Sequence, residues 1–486
     1  MNELLTHFSG LRGTSVDGEI KIEFRSSFSA RLSTLPFFYS DSFFSHSACA
    51  YDHALAKLSL GITMSAVSHK SFGARYITNS LSRAGFDPRS ITTFRFEDSL
   101  STEDSCAYAI GAKKLPDGSW LVPVVIRSHQ YGGEWVSNAH VIDPAQPEYA
   151  AGFRAAAETV FSALMNYIDA HGLNSHRLKL WVTGFSRGGA VANLLGAMLN
   201  RRGFDAHKVF VYTFASPCTV RDSAWEYFGN IFNIVSEMDA VPRVPIAKWG
   251  FCRFGTDLYL PCAARRGDDD YARLLAAMIP EFREIMGQIY CAGAEYEVYE
   301  DQELVLDLLI DYIDDLLLTP EKYLSGGYQE ILMEYMKCRI SGDEMKLERF
   351  FRFLLSDNRE LARRLCSLME DWESLKPLER GKHISALTAA IAKKQAIKNT
   401  PATEILGMGM NILIHYAAKR TATRVTGKDK DYYYDQLTKM IVDTYRRGKK
   451  SPLLMQHWPE TYLAWLCSGD SSQLFRTNTY AHNSIK

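Results

Sequence analysis

The sequence has no long apolar run and no marked excess of charge. No window approaches the roughly 18 uninterrupted apolar residues that a transmembrane helix needs. Residues 1–18 are polar and lack the apolar core of a signal peptide. The formal net charge of -1 gives no electrostatic reason to expect nucleic acid or an anionic membrane as a partner. We therefore expect no transmembrane segment and no nucleic-acid partner, and we leave transient contact with a membrane surface open.

The cysteine pattern does not indicate a disulfide framework. The nine cysteines are scattered, odd in number and never spaced as C-x-x-C. Such a pattern suits free thiols in a reducing compartment better than a disulfide scaffold or a zinc site. We therefore expect a cytoplasmic protein without a metal site. Its 486 residues are enough for a large core and about two to four domains.

The most informative stretch is LKLWVTGFSRGGAVANLLG, residues 178–196. It predicts a buried strand over 178–183, a Gly-x-Ser-x-Gly turn, and a helix that begins at Gly188. This order is that of a nucleophile elbow, in which the bend exposes a serine at the carboxyl end of a parallel strand. Gly184 and Gly188 are expected where a Cβ atom would collide as strand and helix pass closely. Ser186 is therefore the candidate nucleophile, although a Gly-rich turn with an inert serine would look similar.

The rest of the chain predicts a doubly wound, mostly parallel sheet. Apolar, β-branched runs alternate with amphipathic helical patterns, which favours strand–helix–strand units. A hairpin is expected over 107–113 and 120–127, a helix over 152–171, and further strands over 209–215, 231–235 and, as the last one, 254–260.

The first hundred residues predict an accessory layer. A strand is expected over 19–25, with helices over 51–68, behind Asp52 as a cap, and over 74–84. An aromatic cluster is expected to belong mainly to the core, with the rim of a lipid pocket as the alternative; it consists of Phe37, Phe38, Phe43 and Phe44.

The candidate acid and base follow the serine along the chain. Asp239 comes just after a strand, in the stiff segment SEMDAVPRVP, and such a position suits a residue that must orient a histidine. Its rivals are Asp205, Asp222 and Asp257. In α/β-hydrolases the triad runs Ser, Asp or Glu, His. His457 fits best, because it precedes Pro459 and a final helix; the other histidines after Asp239 are His383, His415 and His482.

A long helical block separates the last predicted strand from His457. Periodic patterns predict helices over 304–318, 345–355, 385–394 and 404–420. We interpret this block as an inserted cap or lid. The expected division is an accessory layer at 1–100, a core at 101–262, a helical insertion at 263–450 and a returning segment at 451–486.

Several of these segments resemble the fungal-type (class 3) lipases, and the overall pattern is most similar to bacterial lipase-like proteins. VTGFSRGGAVANLL resembles the family's VTGHSLGGALA elbow, TFASPCT its TFGSPRV, and NIVSEMDAVPRVP its acid segment. IRSH at 126–129 resembles the family's FRGT or FRGS, and HWPETYLAWL its final histidine segment. The resemblance covers about residues 100–262 and 455–466. It implies an α/β-hydrolase with a large helical insertion.

The function expected from these residues is carboxylic-ester hydrolysis through an acyl-enzyme, on a lipid or other acyl ester. Ser186 would attack, His457 would serve as base and Asp239 would orient it. Backbone N–H groups of Arg187 and, by the resemblance, His129 would bind the oxyanion, with Ser128 at the family's glycine position. No cofactor is expected. The alternatives are an acyltransferase with the same triad, and a weakly active or inactive scaffold that binds a protein through its insertion.

Overall fold

The protein is described here by a computed structural model. It describes residues 14–25, 31–66, 73–96, 106–128, 137–173, 175–261, 269–289, 294–299, 451–471 and 476–479, together with scattered positions between 302 and 450.

The chain divides into two compact units. The first contains residues 1–138, 143–296 and 456–486, and the second contains residues 139–142 and 297–455. The first unit therefore extends past residue 262, where we expected the insertion to begin. Within the second unit, the Tyr299 hydroxyl donates to Oδ2 of Asp443 at 2.9 Å. The helices predicted over 345–355, 385–394 and 404–420 lie outside the described residues, as does most of 304–318.

The first unit begins with an antiparallel hairpin, β1 (Asp17–Arg25) and β2 (Leu32–Ser40). Ile20, Ile22 and Phe24 are buried on one face, as the alternation of β1 predicts. Sequence reasoning missed β2, whose pattern contains Pro36. Of the aromatic cluster, Phe37, Phe43 and Phe44 are buried, whereas Phe38 is 54% exposed.

A central sheet of nine strands forms the core among the described residues. Its spatial order is β13-β12-β10-β8-β7-β6-β4-β3, with β5 paired to β6. The strands of this sheet are β3 (Thr92–Phe94), β4 (Tyr108–Ile110), β5 (Lys113–Lys114), β6 (Trp120–Ile126), β7 (Leu178–Phe185), β8 (Val209–Phe214), β10 (Ile231–Ser236), β12 (Thr256–Leu260) and β13 (Arg476–Thr479); β9 (Val220–Arg221) and β11 (Phe251–Cys252) form a separate pair.

The middle of the sheet is parallel, as predicted. Strands β6, β7, β8, β10 and β12 pair in parallel, and antiparallel strands lie at both edges. The expected hairpin is present, because β4 and β5 both pair antiparallel with β6, but its first arm is interrupted at Gly111 and Ala112. One expectation was wrong: the strand at 256–260 is not the last, because β13 pairs with it at the edge.

Helices cover both faces of the sheet, which makes this a doubly wound α/β fold, as predicted. Among the described residues, the helices of the first unit are α1 (His53–Ala66), α2 (Gly73–Arg83), α3 (Ala151–Ala170), α4 (Arg187–Arg201), α5 (Asp269–Gln288) and α7 (Pro459–Cys467); α6 (Pro452–Met455) belongs to the second unit. On β8, the Tyr212 hydroxyl accepts from the Asp52 backbone at the start of α1, whereas Val211 lies under Gly196 of α4. Successive strand residues point to opposite faces, so α1 and α4 enclose the sheet between them.

Candidate active site

The serine lies on a sharp turn between β7 and α4. Ser186 has φ 57° and ψ −125°, a conformation that costs a non-glycine residue about 1–3 kcal/mol and that other contacts must hold. One such contact is the hydrogen bond from the Ser186 backbone N–H to the Phe214 carbonyl at 2.8 Å, which links the turn to the end of β8. Ser186 is 4% exposed. The turn thus presents the hydroxyl where parallel strands end.

The two elbow glycines lie where the backbone of strand and helix nearly touch. A Cβ atom on Gly184 would be 2.1 Å from the Gly188 carbonyl oxygen. A Cβ atom on Gly188 would be 2.6 Å from the carbonyl oxygens of Ile126 and Arg127. Because all these atoms belong to backbone, no rotamer change relieves the clash. Glycine at both positions is therefore a steric requirement of this turn.

Asp239 lies in a turn directly after β10. Its backbone N–H donates to the Ser236 carbonyl at 3.2 Å, and its Oδ1 accepts from the Val241 N–H at 2.9 Å. The residue is 1% exposed. The turn therefore fixes the carboxylate with Oδ2 directed away from its own backbone.

His457 joins the acid to the serine. Its Nδ1 lies 2.7 Å from Oδ2 of Asp239, and its Nε2 lies 2.8 Å from Oγ of Ser186. The histidine occupies the turn before α7, which begins at Pro459. A carboxylate can only accept a hydrogen bond from Nδ1–H, so this geometry assigns Nε2 as the acceptor facing the serine. The structure thus brings together the three residues selected from sequence, in an arrangement suited to removing the serine proton.

The rival residues have other environments. Asp205 caps a short helical turn by accepting from the His207 N–H, and Asp222 lies in a similar turn at 222–224. Asp257 is buried on β12 in an ion pair with Arg253. Of the rival histidines, His383, His415 and His482 lie outside the described residues.

Of the residues expected at the oxyanion hole, the structure describes Arg187 and Ser128 but not His129. Arg187 is the first residue of α4, a position whose N–H has no acceptor within the helix. Ser128 is buried just beyond β6, where the preceding Arg127 carbonyl packs against Gly188. His129 lies outside the described residues. The Arg187 side chain has another role, since its guanidinium donates to the Gly152 carbonyl at 3.2 Å and to Oδ1 of Asn138 at 3.2 Å.

Sequence reasoning missed two aromatic residues at this site. The Tyr462 hydroxyl donates to Oδ2 of Asp239 at 2.9 Å and accepts from the Ser236 N–H at 3.2 Å. Burial, followed by the neighbouring Asp239 charge, raises the pKa of Tyr462 well above its ordinary value, so the phenol stays protonated. The Phe185 ring lies 5.3 Å from the His457 ring and 5.7 Å from that of Tyr462. The only sequence signal was an aromatic residue five positions after the candidate base.

A buried polar network supports the acid turn from behind. Arg253 donates from Nε to Oδ1 of Asp257 at 3.0 Å and from Nη1 to the Pro242 carbonyl at 2.7 Å. The carboxylate of Asp257 also accepts from Nδ2 of Asn233 on β10. Asp257, the rival acid, therefore compensates the charge of an arginine that holds the turn after Asp239.

One segment of the chain matches a known family model. Residues 124–249, which contain the elbow and the acid turn, match the family model of the class 3 lipases. The match covers about a quarter of the 486 residues, so the resemblance to this family is shown for that segment alone. The match ends well before His457 and therefore does not include the candidate base. No curated protein matches the chain significantly.

Solved structures of fungal lipases resemble part of the chain. The triacylglyceride lipase of Rhizomucor miehei is 20% identical over 44% of this chain and 83% of its own, with a TM-score of 0.31. The mono- and diacylglycerol lipase of Aspergillus oryzae is 19% identical over 44% and 81%, with a TM-score of 0.32. A lipase from Rhizopus microsporus var. chinensis is 18% identical over 43% and 75%, with a TM-score of 0.31.

Within the described ranges, no helix combines the length and the apolar character that crossing a bilayer requires.

Proposed function

We propose that the protein is a serine carboxylic-ester hydrolase that acts on a lipid or other acyl ester through an acyl-enzyme. The observation that carries this proposal is the continuous hydrogen-bonded path from Ser186 through His457 to Asp239, with distances of 2.8 and 2.7 Å. The class 3 lipase match of residues 124–249 supports an ester as the substrate class.

In the proposed mechanism, Ser186 Oγ attacks the ester carbonyl while its proton passes to Nε2 of His457. Asp239 accepts the Nδ1–H bond and stabilises the imidazolium that forms. His457 then protonates the leaving alcohol, which leaves an acyl group on Ser186. Water, deprotonated by the same histidine, attacks this acyl-enzyme and releases the acid, so that serine and histidine return to their starting states.

The oxyanion of each tetrahedral intermediate would be bound by backbone N–H groups. We assign one donor to Arg187 at the start of α4, where the helix dipole also favours negative charge. The second donor is assigned to His129 by the resemblance of IRSH to the family's loop. Each donor of this kind contributes a factor on the order of 10²–10³ in rate.

We also propose that the expected helical insertion, residues 263–450, forms a cap or lid of the acyl site. Transfer of the acyl group to an alcohol would use the same triad, and product analysis with an added alcohol would distinguish it from hydrolysis.

A fluorescent fluorophosphonate tests the proposal directly. We expect wild-type protein to be labelled and Ser186→Ala to remain unlabelled, because only an activated serine reacts readily with this reagent. Ser216→Ala is a matched control: Ser216 is also buried near a strand end, but its hydroxyl donates to the Pro217 carbonyl. Folded wild-type protein that neither reacts nor hydrolyses a series of p-nitrophenyl esters would exclude the hydrolase and favour the scaffold.

A further inference from the structure

A cavity of about 290 Å³ lies within the first unit, enclosed by the hairpin strand β2 and the helices α1, α5 and α7. Its volume is near the lower end of the range for small-molecule sites. Its lining includes none of the residues Ser186, Asp239, His457 or Tyr462. It is therefore a different site from the triad.

The walls of the cavity are apolar and well anchored. Phe37, Leu58, Ile285 and Leu463 line it, one from each enclosing element, and all four are buried. Phe38, also in the lining, is 54% exposed and lies edge-on to Phe43 at 5.9 Å. An apolar chain that enters this cavity would transfer its surface from water to contact with these four side chains. The transfer stabilises the complex by roughly 25 cal/mol for each Å² of apolar surface buried.

The charged groups around the cavity are of both signs and come from facing helices. Lys57 projects from α1, and Glu281 and Glu284 project from α5. No ion pair joins Lys57 to either glutamate within the part of the chain that the structure describes. A purely anionic head group would meet the two carboxylates, and a purely cationic one would meet the ammonium group. A head group carrying both charges satisfies each partner.

We propose that this cavity binds a zwitterionic single-chain amphiphile, with its chain among the apolar walls. Lys57 contacts the anionic group of the head, and Glu281 and Glu284 contact the cationic group, with the exposed Phe38 ring beside the entrance. Charge complementarity of this kind fixes orientation and selects among amphiphiles of equal chain length. The site is independent of whether Ser186 hydrolyses esters.

Cysteine footprinting tests the proposal at the site itself. Cys467 lines the cavity and is exposed, and Cys49 is a second exposed cysteine outside its lining. The full-length Ser186→Ala protein is treated with N-ethylmaleimide, and each cysteine's modification rate is followed by peptide mass spectrometry. The probe is dodecylphosphocholine below its micellar concentration. We expect Cys467 to react at least about fivefold more slowly with the probe present and Cys49 to react at an unchanged rate, because only Cys467 becomes covered.

Variants and matched detergents establish the chemistry. Lys57→Glu and the cavity-filling Ala54→Trp should each abolish the protection, whereas Ala170→Trp, at an exposed site on α3, should not. Dodecyl sulfate and dodecyltrimethylammonium should need about tenfold higher concentrations to give the same protection.

Several results would overturn the proposal. They are an unchanged Cys467 rate, equal protection of both cysteines, equal protection by all three detergents, or protection that persists in folded Lys57→Glu. If Ala54→Trp does not fold, Lys57→Glu still tests the proposal. A protein that binds the probe but hydrolyses nothing would refute the proposed function while leaving this site intact.

Discussion

Tyr462 donates a hydrogen bond of 2.9 Å to the same carboxylate oxygen of Asp239 that faces His457. Oδ2 therefore has two partners, whereas Oδ1 is held by the Val241 backbone. Because the tyrosine also accepts from the Ser236 N–H, it links the final helix to the end of β10. The acid is thus fixed by both the sheet and the helix that follows the base.

Removal of this phenol should impair catalysis more than stability. Tyr462→Phe leaves the ring in place but deprives Asp239 of a donor, and we expect kcat on a soluble ester to fall about tenfold, with a loss of roughly 1 kcal/mol in the free energy of unfolding. Tyr167→Phe is the matched control, since its buried hydroxyl donates to the Ser90 carbonyl away from the triad. Equal kcat losses in both variants would contradict a role at the acid.

The two buried aspartates should respond differently to amidation. Asp239→Asn retains the size of the side chain but removes the negative charge that stabilises the imidazolium, and we expect kcat to fall by about 10⁴ while the protein stays folded.

Asp257→Asn, by contrast, leaves Arg253 buried without its counter-charge, so we expect a loss of about 3–5 kcal/mol in unfolding free energy. Urea unfolding and ester turnover distinguish these effects. A fully active Asp239→Asn protein would refute the acid assignment.

The elbow glycine should not tolerate a methyl group. Gly188→Ala places a Cβ atom 2.6 Å from two backbone carbonyl oxygens, so we expect poor folding or a displaced Ser186 with at least about 100-fold lower kcat. Gly287→Ala on α5 is the control, because a Cβ atom there meets nothing within 4 Å. We expect that variant to be active and more stable by about 0.4–1 kcal/mol. Thermal unfolding and turnover report both outcomes.

Stability should depend on pH through His53 at the start of α1. Burial lowers the pKa of His53, whose Nε2 lies 2.8 Å from the Leu466 carbonyl near the end of α7. The unfolded chain therefore binds this proton more readily than the folded chain. The contribution of His53 is present above its ordinary pKa of about 6.5 and is lost as the pH falls through the lower folded-state value.

We expect His53→Gln to be less stable than wild type at pH 7.5, but to lose less stability on acidification to pH 5. Urea unfolding at the two pH values measures the difference. The control is His207→Gln, at an exposed position. A wild-type pH dependence that is unchanged in His53→Gln would show that other groups are responsible.

The sequence predicted the parallel sheet and the elbow because both depend on local patterns. A β-branched strand, a glycine turn and a small-residue helix follow one another over 178–196, so their geometry is encoded within about twenty residues. The strand β2 was missed because Pro36 and a run of aromatic residues obscure its alternation, and its edge position tolerates the proline. The strand β13 was missed because its sequence, RTNT, is polar.

Long-range contacts limited the prediction of the site. Ser186, Asp239 and His457 were selectable by residue type and chain order, but their catalytic roles remain predictions until variants are measured. Tyr462 and Phe185 could not be assigned to the site from sequence, because their contacts with Asp239 and His457 join residues that are distant in the chain. The Arg253–Asp257 pair lies only four residues apart, yet its support of the acid turn depends on the Pro242 carbonyl, which no sequence spacing reveals.

The chain leaves the first unit after Tyr296 and returns to it at Gln456, and these two side chains form a hydrogen bond of 3.2 Å. This hydrogen bond joins the segment that leaves the first unit to the segment that returns to it, one residue before His457. Loop-closure entropy grows only logarithmically, by about 0.6 kcal/mol for each doubling of loop length. Insertions or deletions within 297–455 therefore change the entropic cost of bringing the histidine to the serine very little. The length of that segment is therefore only weakly coupled to the placement of His457 beside Ser186.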